Sequence, residues 1–256
     1  MENSSSYLYN FVCGGIAGST AAIVSHPFLR MKIQLQNNGF INKTHYLNKK
    51  WLFTGLRYGI LCYGSEKMLV FGVYNSLLNH GFDNTSAGVI SGLVASFAIC
   101  PGEKLVIDSM NSVSSFSRIK YIMKFRPNLT NMIIKKNIRH LYTGLSPTIF
   151  REMMGFGIHM SVFGYLMEKY NKEKSFSKTL GSVIVAIGVA WSSIVPIDRF
   201  KTAVQSPGFN FKTYSFLRSF DGFSYALLRA IPFHCTSFSL MVYLMNNKEK
   251  ITKLIF

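Results

Sequence analysis

Acidic residues are scarce in this chain, with 11 Asp and Glu against 28 Lys and Arg over 256 residues, a formal net charge of +17. Cysteine is scarce as well: Cys13, Cys62, Cys100 and Cys235 stand far apart, with no CxxC pair and no histidine at a ligand spacing. That excludes a disulfide framework and a cysteine metal site, so the four read as reduced packing residues and no metal is expected. The first ten residues, MENSSSYLYN, lack both a basic segment leading into an apolar core and an arginine-rich amphipathic pattern, so any targeting information is expected to be internal. Helix-turn-helix, RNA-binding and zinc-finger patterns are missing too, which argues against a nucleic-acid partner despite the charge. Nothing suggests a nucleophile with an aligned base or a phosphate-binding glycine loop, so the chain reads as a non-enzyme without a cofactor.

What is present is hydrocarbon. The chain is 48% hydrophobic, with a mean hydropathy of +0.21. Apolar windows recur at 11–28, 59–78, 87–107, 148–167, 180–197 and 223–245, each close to the ~20 residues that cross a bilayer as a helix. None is uninterrupted, because Glu66, Lys67, Arg151, Glu152, His159 and Arg229 fall inside them. A charge facing lipid is costly, so these groups are expected to face a watery interior. The segments 37–50, 111–140 and 206–220 carry Lys and Arg without any Asp or Glu, whereas 168–178 and 246–256 mix Lys with Glu. Such alternation fits an even number of crossings, with the basic loops on the negatively polarised side and both termini on the other.

A threefold repeat runs through the windows. Proline sits late in the first, third and fifth, at Pro27, Pro101 and Pro196, and an aromatic-x-Gly precedes the second, fourth and sixth, ending at Gly55, Gly144 and Gly222. Gly14 and Gly18 stand 13 and 9 residues before Pro27, as Gly88 and Gly92 do before Pro101, which places small residues on one face for close helix contact. The third copy has Val183 and Ile187 there instead. Seven residues after the repeat glycines come Cys62, Arg151 and Arg229, and sixteen after them Phe71, Met160 and Phe238. The repeats divide the chain into 1–82, 83–174 and 175–256, each a two-helix unit.

The stretch from Phe11 to Gly18, with Ser25-His26-Pro27 and the Lys32-x-Gln34-x-Gln36 that follows, resembles the opening of a mitochondrial carrier family member. The threefold Pro-x-(Asp/Glu)-x-x-(Lys/Arg) signature and the aromatic-x-Gly motifs are similar to that family across essentially the whole chain. The resemblance implies an all-α membrane protein, six transmembrane helices in three tandem repeats with pseudo-threefold symmetry around a central cavity. It implies a monomer in the mitochondrial inner membrane, with termini on the intermembrane-space side and short helices in the three basic loops. Cardiolipin phosphates would be held by backbone amides near Gly55, Gly144 and Gly222, helix starts being suited to anions.

It further implies a gate at the matrix side, where the acid of one repeat pairs with the base of the next: Glu103 with Lys201, and Asp198 with Lys32, braced by Gln36 and Gln205. Leu29 and Val106 replace the acid and base of the remaining pair. Losing both together is physically sensible, since one charge left alone would be buried unpaired, whereas an apolar pair can be neutral or stabilising. Pro27, Pro101 and Pro196 would bend their helices so that the ends converge. The motif usual at the other gate is reduced to Tyr74.

Glu66, Arg151, Glu152 and Arg229 occupy the positions with which family members select solutes, and the Arg-Glu on the fourth helix resembles amino-acid and carnitine carriers. An arginine fork suits a carboxylate and a glutamate an α-ammonium, a pairing suited to a zwitterion. Three readings stand at this point: a carrier of an amino acid or similar metabolite, a carrier of a nucleotide or carboxylate metabolite, and a degenerate carrier fold acting as a membrane adaptor without transport.

Overall fold

The computed structural model describes residues 2–38, 48–110, 139–170, 175–206, 220 and 223–247. Among them, all regular structure is helical. Six long helices follow the six apolar windows: α1 Glu2–Asn38, α2 Leu56–Asn79, α3 Asn84–Met110, α4 Leu145–Tyr170, α5 Phe176–Gln205 and α6 Phe223–Asn246. A single turn of helix, Lys49–Leu52, lies between α1 and α2, capped by the Asn48 side chain, which accepts from the Trp51 N–H at 3.2 Å. Gly222, the side chain of Gln36 and most of the three basic segments, where short helices are expected, lie outside the described residues.

Each helix packs on the next in chain order, and α6 closes back on α1, so the bundle is a ring. Its polarity is inverted relative to a water-soluble bundle. Val12, Ile16, Ile23 and Val24 on α1, Leu61 and Met68 on α2, Phe97 on α3, Phe150 on α4, Ile184, Val185 and Val189 on α5, and Leu228 on α6 are exposed. Glu66, Lys67, Glu103, Arg151, Glu152, Asp198 and Arg229 are buried. Hydrocarbon outside and charge inside is the arrangement a bilayer selects, because the rim meets lipid and ionised groups meet one another. Helices α1, α3, α5 and α6 are apolar enough by composition alone to cross a membrane. By contrast, α2 and α4 carry Glu66-Lys67 and Arg151-Glu152, and their membrane-spanning character rests on those groups pointing inward.

Glycine sets the spacing in the first two repeats. A Cβ on Gly14 would lie 2.6 Å from the Lys67 carbonyl oxygen of α2, and one on Gly88 2.7 Å from the Phe156 carbonyl oxygen of α4, so backbone touches backbone only because nothing larger is there. In the third repeat, Val183 and Ile187 fill the equivalent positions and are fully buried, while Gly188 has no atom within 4 Å of where its Cβ would stand.

The aromatic-x-Gly motifs are turns that launch the even helices. The aromatic carbonyl accepts from the residue after the glycine in all three: Leu56 to Phe53 at 3.2 Å, Leu145 to Tyr142 at 3.1 Å, Phe223 to Phe220 at 3.0 Å. Gly55 and Gly144 have φ of 85° and 80°, a left-handed conformation that a Cβ would penalise. His26, beside Pro27, fixes α1 to the first turn: its Nε2 donates to the Thr54 carbonyl at 3.0 Å and its ring stacks on Phe53. At the outer end of α3, Asp83 accepts from the Thr85 and Ser86 amides at 3.0 and 3.1 Å. Hydrogen bonds from Ser86, side chain first and then amide, hold the Asp83 carboxyl below its ordinary range.

Candidate functional site: a charge-lined cavity

Proline sits inside α1, α3 and α5 at Pro27, Pro101 and Pro196, and beyond it the three helices carry their charges into the bundle axis. There Lys32 Nζ lies 2.6 Å from Asp198 Oδ2, and Lys201 Nζ is paired with Glu103 Oε2. These are the two inter-repeat pairs expected from the signatures. Leu29 and Val106, at the positions of the missing pair, are buried in one apolar cluster with Ile33, Ile107 and Met110.

Arg151 joins the two pairs. Its Nη2 lies 3.0 Å from Glu103 Oε2 and its Nη1 3.0 Å from Asp198 Oδ1, and Nη2 also pairs with Glu152 Oε1. A residue expected from sequence among the solute contacts is therefore bonded to the acids of both inter-repeat pairs. Desolvated cation and carboxylates offset one another only if each lone pair and proton is satisfied, and the planar fork of arginine suits that demand.

Gln205 departs from the bracing role that the resemblance implied. Its Nε2 donates to the Thr143 carbonyl at 3.2 Å and toward Cys100 Sγ at 3.8 Å, with no hydrogen bond to either ion pair. The reason is position: four residues past Lys201, at the end of α5, it reaches out to the turn before α4. The hydroxyl of Tyr63 on α2 lies 3.4 Å from Glu103 Oε1. Sequence reading also missed Lys104, which donates to Asp108 and to the Gln205 carbonyl, both at 2.7 Å, tying α3 to α5. The Lys104-x-x-x-Asp108 spacing is the signal that could have found the first of these bonds.

Beside these ion pairs lies a cavity of about 60 Å³, lined by Tyr63, Glu66, Glu103, Arg151, Glu152, Phe156, His159, Trp191, Arg229, Phe233 and His234 among others. It has room for water, and a larger solute would need the helices to part. All four residues expected to select a solute line it. Glu66 is matched by Lys67 at 3.3 Å, a cation expected in the interior but not among the solute contacts, which also sits over the Phe156 ring at 4.6 Å. Arg229 is 5% exposed and has no carboxylate within 4 Å among the described residues. Its guanidinium instead lies 4.8 Å from the Tyr63 ring and 5.4 Å from Phe233, and its Nε is unpartnered. Of the five cations Lys32, Lys67, Arg151, Lys201 and Arg229, all buried beside Glu66, Glu103, Glu152 and Asp198, Arg229 is the one with no carboxylate within 4 Å among the described residues.

Toward the termini the axis turns apolar. Phe71, Met160 and Phe238, the repeat-related residues sixteen after each glycine, belong to one buried cluster, with Phe71 and Phe238 in edge contact at 5.4 Å between centroids. Neutral hydrogen bonds tie the helices there: Tyr9 donates to the Leu244 carbonyl at 2.7 Å, and Tyr74 to Asn84 Oδ1 at 2.6 Å. Among the described residues, no group of three or more His, Cys, Asp or Glu could hold a metal ion.

The sequence model of the family described as "Mitochondrial carrier protein" matches residues 3–85 and 79–174. Among curated proteins, "Protein dif-1" of Caenorhabditis elegans is 24% identical over 282 residues, spanning 91% of this chain and 89% of the relative. "Mitochondrial arginine transporter BAC1" of Arabidopsis thaliana is 24% identical over 235 residues, 77% and 75% of the two chains. "Mitochondrial basic amino acids transporter" of Homo sapiens is 24% identical over 224 residues, 78% and 72%.

Proposed function

Because the chain belongs to the mitochondrial carrier protein family, whose members are transporters of the inner membrane, we propose that it carries an amino acid or an amino-acid-like metabolite. The observation that carries this reading is Arg229: a buried guanidinium at the cavity wall without a carboxylate partner among the described residues, across from Glu66 and Glu152. An unpaired buried charge is unfavourable until something neutralises it, and a carboxylate offers the bidentate match. A solute bearing an α-ammonium as well would find its acceptor in Glu152 or Glu66. The transporters of arginine and basic amino acids among the relatives support the class.

Alternating access follows from how the cavity meets the gate. Arg151 lines the cavity and is bonded to Glu103 and Asp198, so a solute that draws Arg151 toward itself removes the bridge that ties the two inter-repeat pairs together. Binding energy then offsets the separation of Lys32 from Asp198 and of Lys201 from Glu103, and the population shifts toward the state open on the other side. The proposal includes termini on the intermembrane-space side, a monomer, and cardiolipin at the turns carrying Gly55, Gly144 and Gly222.

The test is thermal stability of the purified carrier with an amino-acid, a nucleotide and a keto-acid panel. A ligand at about 100 times its dissociation constant adds about 2.7 kcal/mol, enough to raise Tm measurably. An amino acid is expected to do so; a shift only with nucleotides or keto acids would overturn the solute class, and no shift with any would favour a fold without transport.

A further inference from the structure

Two imidazoles stand in the same cavity without a role in the gate or in the charge pairs. His159 on α4 and His234 on α6 have ring centroids 5.3 Å apart, and both line the cavity wall. His159 is 3% exposed and lies against Phe163 and Phe238, at 6.4 and 5.4 Å between centroids. Its Nε2 is buried and has no partner. A neutral imidazole offers one N–H donor and one lone pair, so this nitrogen still has a hydrogen bond to make. Nδ1 of His234 is likewise buried and unpartnered. Buried nitrogens left unmatched are costly, and two facing one cavity wait for a hydrogen-bonding group.

The surroundings decide what kind of group. The Lys67 ammonium lies 5.2 Å from the Phe233 ring beside His234 and 4.6 Å from the Phe156 ring. Arg229 is one and a half turns from His234 on the same helix, about 7.5 Å along the axis. A solute whose carboxylate meets Arg229 would lay a glutamine-sized side chain at the histidines. A cationic end would meet the Lys67 ammonium, and a purely apolar end would leave Nε2 of His159 unmatched.

We propose that His159 and His234 form a subsite reading a neutral hydrogen-bonding group at the end of the solute's side chain, so that the carried amino acid ends in an amide or hydroxyl. This rests on the amino-acid reading above and narrows it away from the basic solutes named for several relatives. Sites built to hydrogen-bond a solute group reject analogues lacking it far more strongly than sites that merely enclose hydrocarbon.

The experiment is uptake of labelled glutamine, arginine and leucine into proteoliposomes, with cross-competition, for the unaltered carrier and for His159→Phe and His159→Gln. Glutamine is expected to be preferred by at least about tenfold over leucine and arginine. His159→Phe should bring glutamine and leucine within about twofold of each other while leucine uptake persists, and His159→Gln, which keeps an acceptor, should retain the preference. Arginine or leucine carried as well as glutamine by the unaltered protein would overturn the subsite alone, whatever the variants do. A preference untouched by His159→Phe would overturn it too. Uptake of no amino acid would overturn the parent reading and the subsite with it.

Discussion

Where α1, α3 and α5 converge, Lys32, Asp198, Glu103, Lys201 and Arg151 meet in one ionic network, whereas toward the termini Phe71, Met160 and Phe238 fill the same axis with hydrocarbon. Opening the first requires a competing charge, because each partner left behind in a desolvated site is penalised unless something replaces its counter-ion. Opening the second requires only that side chains give up dispersion contacts and that two neutral hydroxyl bonds, from Tyr9 and Tyr74, be exchanged for water. A solute with ionised ends therefore acts directly on the ionic end and only by volume on the apolar one. The cavity is lined by both kinds of group: the carboxylates and guanidinium groups of Glu66, Glu103, Arg151, Glu152 and Arg229, and the rings of His159, His234, Phe156 and Phe233.

The comparison can be broken most severely at Leu29. Leu29→Asp places a carboxylate among Ile33, Ile107 and Met110 with no cation opposite, and should lower the stability of the purified carrier by about 3–5 kcal/mol, read as a fall in Tm. Adding Val106→Lys should recover most of that loss by completing a third inter-repeat pair. Losses that simply add would mean the two positions do not face each other across the gate. A smaller effect is expected at the apolar end, where Phe238→Ala removes a ring packed on Phe71, Phe163 and His159. It should cost about 3 kcal/mol with no charge substitution able to restore it, and should let solute leak through carriers held in this closed state. Equal sensitivity of both ends to charge substitutions would erase the distinction.

The ionic end was the more legible of the two from sequence. Lys32, Glu103, Asp198 and Lys201 sit at fixed offsets from a proline in three repeats, and the resemblance to the carrier family implied which of them pair. The glycine spacing before Pro27 and Pro101 was legible for the same reason, since a Cβ at Gly14 or Gly88 would strike a neighbouring backbone. Other features depend on which way a side chain reaches from its helix, and spacing is silent on that. Arg151 bonding to two gate acids, Lys67 turning onto Glu66 and aromatic rings, and Gln205 reaching the Thr143 carbonyl belong here. The apolar mouth announced itself only as a repeat offset, because Phe71, Met160 and Phe238 differ in chemistry and share only position and burial.

The most direct test is uptake of a labelled amino-acid panel by Arg229→Ala beside the unaltered carrier in proteoliposomes, with Tm measured on both. The unaltered protein is predicted to show saturable uptake, and the variant to lose at least about a hundredfold of it while keeping its fold, the alanine removing the bidentate anchor worth about 3 kcal/mol or more. Saturable uptake at an unchanged rate in Arg229→Ala would contradict the claim that the inward-facing charges of this ring of helices hold the solute.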